Sequence, residues 1–154
     1  MYGKEGTAVP SGKYCIRRII MTEREKMLAG LLYDCGDEEL LARWHKAKNL
    51  MRDYNLTDSE DMERKNRILE ELLGERGKNL WITAPFYVDY GHHIFFGNNC
   101  EVNMNCTFLD DNIIRIGDNA LIAPNVQIYT AFHPANAEDR FGNPLPFAEP
   151  RQRR

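Results

Sequence analysis

The sequence predicts a mainly β fold: a triangular β-solenoid preceded by a small helical cap. Three observations point to it. Residues 77–82, 97–102 and 117–122 share the pattern Gly-x-Asn-x-x-aliphatic at a constant offset of twenty, and self-similarity at a fixed period marks a repeat architecture. Within the copies, large apolar residues fall six apart: Ile82, Val88 and Ile94; Phe96, Val102, Phe108 and Ile114; Ile116, Ile122 and Ile128. Two-residue slips join the ladders at Ile94/Phe96 and Ile114/Ile116, which leaves strand side-chain parity unchanged. Four residues after many of these positions stands a smaller apolar one, Cys100, Cys106, Ala120 or Val126. Each hexapeptide thus has a large and a small inward position. A helix cannot produce this, because positions six apart lie about 120° out of phase around its axis.

Before the repeat, residues 1–20 read as an extension carrying glycines, basic residues and Pro10. They lack the apolar core and small-residue cleavage site of a signal peptide, and Met21 is a possible internal start. Residues 22–74 read as helical. Thr22-Glu23-Arg24-Glu25 is a capping box, in which Thr22 and Glu25 satisfy each other's backbone donors. Met27, Leu28, Leu31 and Leu32 are expected to form an apolar face, and Gly30 and Gly36 a break around Tyr33-Asp34-Cys35. Asp37 is placed to cap a second helix with the stripe Leu40, Trp44, Ala47, Met51 and Tyr54. After a turn at Asn55-Leu56-Thr57-Asp58, a third helix carries Met62, Leu69, Leu72 and Leu73, with Gly74 at its end. These single-striped helices must pack on something, and capping the solenoid's open end is the expected role. The organisation read from the chain is an extension at 1–20, a helical domain at 21–75, the repeat at 76–150 and a basic tail at 151–154.

Composition narrows the function. The 154 residues carry a formal net charge of −3 and 43% hydrophobic residues, ordinary for one globular domain with or without an appendage. Nothing in this balance calls for a nucleic-acid partner. No apolar run approaches the ~18 residues of a membrane span. Cys15, Cys35, Cys100 and Cys106 form no C-x-x-C pair, and two occupy small inward repeat positions. Free thiols in a reducing, cytoplasmic setting are the expectation.

The chemistry centres on Tyr129-Thr130-Ala131-Phe132-His133-Pro134, where the regular ladder ends. Pro134 favours an extended conformation at His133. An imidazole at the edge of a rigid solenoid suits general-base work, since its ordinary pKa is near neutrality. Asn103 and Asn105 sit between ladder positions; Asp110-Asp111-Asn112 forms one corner, and Asp89-Tyr90 a corner one coil earlier. Asn and Asp also serve turns, because they tolerate left-handed backbone. Together with His133 they suit a polyhydroxylic substrate, which needs several fixed donors and acceptors.

These stretches together resemble the maltose and galactoside O-acetyltransferases among the hexapeptide-repeat acyltransferases. The resemblance rests on residues 21–30, Leu32-Tyr33-Asp34, Asp89-Tyr90-Gly91, Asn103-Met104-Asn105-Cys106, Asp110-Asp111, residues 116–119 and 123–126, and residues 129–134. It implies a left-handed parallel β-helix, a homotrimer with active sites between neighbouring subunits, and acetyl transfer from acetyl-CoA to a sugar hydroxyl, with no metal. On this resemblance His133 matches the catalytic base. Asp34, Asp89 and Asp111 match positions that contact the sugar acceptor, and Asn103 matches one near the thioester.

The chain also departs from the family. The family continues its hexapeptides for several coils after the segment 141–150, whereas this sequence runs to Arg151-Gln152-Arg153-Arg154. The resemblance therefore implies a shortened solenoid, without counterparts of the coils carrying most of the CoA groove, or else a fragment. Glu101 stands where the galactoside enzymes carry an aromatic. An inactive solenoid serving as an assembly or binding module is the alternative function. A zinc hydratase using His92, His93 and His133 is disfavoured, since the adjacent His92 and His93 point to opposite faces of an extended chain.

Overall fold

In this computed structural model, residues 21–133 and 135 are described. The extension at 1–20 with Cys15, the residue Pro134, and the segments containing 141–150 and the basic tail lie outside them. Three helices lead the described chain: α1 (Glu23–Leu28), α2 (Glu38–Leu56) and α3 (Met62–Leu72). Nine short strands follow: β1 (Glu75–Arg76), β2 (Trp81–Ile82), β3 (Phe86–Val88), β4 (Ile94–Phe96), β5 (Glu101–Val102), β6 (Cys106–Leu109), β7 (Ile114–Ile116), β8 (Leu121–Ile122) and β9 (Gln127–Tyr129).

The strands form three parallel sheets, ordered β1-β4-β7, β2-β5-β8 and β3-β6-β9. All three pair residues at an offset of twenty, as in Ile94 with Ile114, Ile82 with Val102 and Phe108 with Ile128. The chain is therefore a three-sided parallel β-helix, with each turn stacked on the last. The large inward positions behave as the six-residue period requires. Val88, Ile94, Val102 and Phe108 are inaccessible, and Cys100 and Cys106 fill the small positions beside them. Both thiols are free, as is that of the half-buried Cys35. Phe108 packs edge-on against Phe86, with ring centroids 5.2 Å apart. Ile116, Ile122 and Ile128 are only partly buried, because no described coil covers them.

The corners are built by asparagine. Asn79, Asn99, Asn105, Asn119 and Asn125 all adopt positive φ, between 56° and 64°, a region asparagine enters more readily than other residues with a side chain. The amide Nδ2 of Asn79 donates to Asn99 Oδ1 at 2.9 Å, and that of Asn99 donates to Asn119 Oδ1 at 3.2 Å. The neighbouring glycines have a different reason. A Cβ on Gly77 would stand 1.9 Å from the carbonyl oxygen of Gly97, so the coils approach too closely for any side chain there.

The cap meets the first coil through side chains that replace a missing strand. The carboxamide of Asn55 accepts from the Phe86 amide and donates to the Phe86 carbonyl, both at 2.9 Å. Lys48 Nζ donates to the Val88 carbonyl, and the Val88 amide reaches Met51 Sδ. Tyr54 Oη donates to the Ile82 carbonyl at 2.6 Å. An open parallel edge presents unpaired donors and acceptors, and α2 satisfies them on β3. Its stripe follows the 4-3-4-3 spacing: Leu40, Ala47 and Tyr54 are buried, with Trp44 and Met51 half-buried between them.

Two local expectations change. Helix α1 has its capping box at Thr22 and Glu25 but ends at Leu28, with Ala29 as its C-cap. Leu31 and Leu32 then lie on an exposed loop, 53% and 69% accessible, rather than on an apolar face. The positive φ of Gly30 turns the chain there. Asn55 and Leu56 belong to the last turn of α2, and α3 is capped at its C-terminus by Leu73. Gly74 serves instead as a close approach: its amide donates to the Ile94 carbonyl, and a Cβ would stand 2.3 Å from the His92 carbonyl oxygen.

Candidate active site

One corner of the triangle gathers most of the polar side chains singled out from sequence. It joins the β3-β6-β9 sheet to the β4-β7 sheet, and comprises residues 89–93 in one coil and 110–113 in the next. Thr130 lies beyond β9 in the same column, with Oγ1 accepting from the Asn112 amide at 2.8 Å. His133 follows on the exposed chain beyond it.

Asp110 holds this corner together. It is fully buried, yet neither oxygen is idle. Oδ1 accepts from the amides of Asp89 and Tyr90 at 3.0 and 2.9 Å, and Oδ2 accepts from that of His93 at 3.2 Å. Burial pushes its carboxyl up to about 6, against the opposing pull of the backbone donors. The next residue points elsewhere: Asp111 Oδ1 accepts from the Tyr33 hydroxyl at 2.7 Å. Burial raises the Asp111 pKa, the Tyr33 hydrogen bond lowers it, and the Asp89 charge raises it again. The Tyr33 phenol is raised well above its ordinary value, first by burial and then by Asp111.

Asp89, half-buried, is tied to the cap. Its Oδ1 accepts from Lys48 Nζ at 3.0 Å and from Trp44 Nε1 at 3.3 Å, and the Lys48 ammonium lies 4.8 Å from the Trp44 ring centre. No hydrogen bond to Oδ2 occurs among the described residues. Asp34 sits on the exposed loop after α1; its amide donates to Glu23 Oε2 and its Oδ1 accepts from the Gly36 amide. The loop is docked by Asn112, whose Nδ2 donates to the Met27 and Leu28 carbonyls. Cap and solenoid thus meet at the acidic corner.

The remaining two candidates lie apart. Asn103 belongs to another corner, between the β2-β5-β8 and β3-β6-β9 sheets; its side chain accepts from the Met104 amide at 2.8 Å. No hydrogen bond or ion pair ties His133 to Asp34, Asp89, Asp111 or Asn103 among the described residues. Asn105 is a corner residue with φ of 61°, so its sequence position is explained by turn geometry. His93 is buried and His92 exposed, in line with their opposite facing. Tyr33, Trp44 and Lys48 were missed as candidates, and Asp110, read as part of the acidic corner, is taken up by backbone amides instead. Tyr33 stands directly before Asp34, and the i, i+4 spacing of Trp44 and Lys48 puts both on one helix face, but neither spacing names Asp89 or Asp111 as partner.

A parallel β-helix capped by helices, with carboxylates at the seam between them, defines the class of fold. Residues 26–77 match the maltose acetyltransferase hexapeptide capping motif. A Dictyostelium discoideum protein carrying an acetyltransferase name is 42% identical over 130 residues, spanning 81% of this chain and 67% of its own length. The crystal structure of a maltose O-acetyltransferase from Clostridium difficile 630 superposes with a TM-score of 0.79 at 43% identity, covering 80% of this chain and 66% of that one. A galactoside acetyltransferase in complex with coenzyme A gives 0.76 at 34% identity, covering 80% and 62%. The chain belongs to the maltose and galactoside O-acetyltransferase family of hexapeptide-repeat acetyltransferases, and its solenoid is their left-handed β-helix. It spans about two thirds of the length of these relatives.

Proposed function

We propose that this chain serves acetyl transfer from acetyl-CoA to a sugar hydroxyl, with His133 as the general base. The imidazole takes the proton of the sugar hydroxyl as that oxygen attacks the thioester carbonyl. The tetrahedral intermediate collapses, the carbon–sulfur bond breaks, and the imidazolium returns the proton to the leaving thiolate. The products are an acetylated sugar and free CoA. General-base help of this kind contributes roughly 10²–10⁴ in rate, and holding both substrates in one cleft adds a proximity term. Asp34, Asp89 and Asp111 accept hydrogen bonds from the sugar, and Asn103 contacts the acetyl-CoA end.

The observation that carries this reading is the polar corner itself. Asp111 is oriented by Tyr33 and Asp89 by Lys48 and Trp44, so carboxylates lie fixed at a surface seam beside the chain that leads to His133. Fixed acceptors are what a polyhydroxylic acceptor requires. The family's solved members support the cosubstrate, since one is a complex with coenzyme A and another a complex with acetyl-CoA. Asn103 lies on a different corner of the triangle, which supports a site completed between subunits of a homotrimer, where one chain's corner faces another's.

The test is thiol release from acetyl-CoA by the chain with a panel of glucosyl and galactosyl acceptors, alongside His133→Ala. Sugar-dependent release that disappears in the variant supports the reading. Release that is independent of sugar, or equal in the two proteins, overturns it.

A further inference from the structure

We propose that a second site, in a cleft between the cap and the first coil, binds inorganic phosphate. The cleft has a volume of about 140 Å³ and opens between α2, α3 and the corner 90–93. None of Asp34, Asp89, Asn103, Asp111 or His133 lines it. Its walls carry Arg43 and Lys46 from α2, Glu71 from α3, and Tyr90, His92 and His93 from the solenoid.

The cleft carries two cations, Arg43 and Lys46, and one carboxylate, Glu71. Arg43 pairs with Glu39 at 2.9 Å and Lys46 with Glu71 at 2.9 Å, all with half-exposed or more exposed side chains. Such surface pairs hold little energy, so both cations can turn to a stronger anion. The charged groups that most affect the His92 imidazole are cationic. Burial holds its imidazole below the ordinary value, and His93, Arg43, Arg24 and Lys46 push the same way. Arg24 approaches from α1 with its Nε buried and without a hydrogen bond. An anion in the cleft can replace Glu39 and Glu71 as the partners of Arg43 and Lys46.

His93 selects among anions. Its Nδ1 lies 2.7 Å from the Asp110 carbonyl oxygen. A carbonyl only accepts, so Nδ1 carries the proton and Nε2 keeps a lone pair. Burial lowers the pKa of this ring, which favours the neutral form. The cleft wall therefore carries two cationic donors, Arg43 and Lys46, and a neutral imidazole with an acceptor nitrogen. A monohydrogen phosphate matches this set, with oxygens for the cations and one O–H for Nε2. Arg43 can take two of the oxygens in a fork. Sulfate has the oxygens but no O–H.

The experiment is a titration of the intact chain with inorganic phosphate at constant ionic strength, read on the imidazole NMR signals of His92 and His93. Saturable shifts of both rings are expected, with sulfate about tenfold weaker for lack of the O–H donor. The double variant Arg43→Gln/Lys46→Gln removes exposed side chains with surface partners only. It is expected to keep the amide spectrum away from the cleft and to weaken phosphate binding at least tenfold. Shifts that do not saturate, shifts equalled by chloride, equal binding of sulfate and phosphate, or undiminished binding by a folded double variant would each overturn the proposal.

Discussion

The Tyr33 hydroxyl donates to Asp111 Oδ1 at 2.7 Å across a sequence separation of 78 residues. This bond joins the loop after α1 to the second coil and orients a carboxylate proposed to bind the acceptor. Tyr33→Phe removes only the donor. Without it the Asp111 pKa, already raised by burial, rises further, because the Tyr33 hydrogen bond was opposing that shift. The expected outcome is a loss of kcat/KM for the sugar of about tenfold, or ~1.4 kcal/mol. The acidic limb of the pH–rate profile should move to higher pH. Steady-state kinetics across pH measures both.

His133 is exposed and makes no hydrogen bond among the described residues. His133→Ala is therefore expected to leave thermal stability unchanged within about 0.5 kcal/mol. Turnover should fall roughly 10²- to 10⁴-fold. Calorimetry and thiol release on the same preparation separate the two.

Asn55 stands in for a strand by bonding both polar groups of Phe86. Asn55→Ala leaves an amide and a carbonyl at the solenoid edge without partners, at a cost of about 1–3 kcal/mol for each if it stays buried. Asn55→Asp keeps the acceptor for the Phe86 amide but sets a carboxylate oxygen against the Phe86 carbonyl. Urea unfolding should rank the wild type above both variants. Amide exchange in β3 should accelerate in each.

Gly77→Ala tests the close stacking of coils. The added Cβ would meet the Gly97 carbonyl oxygen at 1.9 Å, and backbone on a paired strand end cannot swing aside. A loss of about 3 kcal/mol or more is expected, at the top of the overpacking range. Gly117→Ala is the control, since nothing among the described residues lies within 4 Å of its Cβ position; it should be closer to neutral in the same unfolding assay.

Asp110 gives the fold a pH dependence of its own. Its folded pKa of about 6 is raised above the ordinary value of 3.8. Between those values the folded chain binds more protons than the unfolded one. Asp110's contribution to stability is thus fully present below about 3.8 and is lost as pH rises through about 6. Asp110→Asn abolishes this component while keeping Oδ1 for the amides of Asp89 and Tyr90. Its new amide nitrogen would face the His93 amide that Oδ2 now accepts from. Unfolding midpoints from pH 4 to 7 should fall less steeply for the variant than for the wild type.

The solenoid was legible because its rules are local. Strand parity, the six-residue ladder and asparagine at the corners repeat every twenty residues, so each copy corroborates the others. The cap's stripe was equally plain, since Leu40, Ala47 and Tyr54 are buried as their spacing requires. What that stripe meets was not, because Asn55–Phe86 and Lys48–Asp89 are pairs between an aperiodic segment and a periodic one. Leu31 and Leu32 misled for a related reason: their spacing continues α1, but the helix had already ended at Leu28. Asp110 and Asp111 look interchangeable in sequence. Only the stacking of one corner on another shows that the first is consumed by backbone amides and the second turns to Tyr33.

The twenty-residue register of the three sheets has a consequence for how the molecule is made. Their pairings between successive coils close a loop of the same short length, as in Ile82 with Val102 and Val102 with Ile122. The entropy cost of each closure is then nearly constant along the solenoid, and neighbours interact only with neighbours. Helix α2, by bonding β3, supplies a template edge before later coils exist. Synthesis from the N-terminus can therefore lay down one coil at a time on a finished platform, and the ribosome delivers the strands in the order in which they stack.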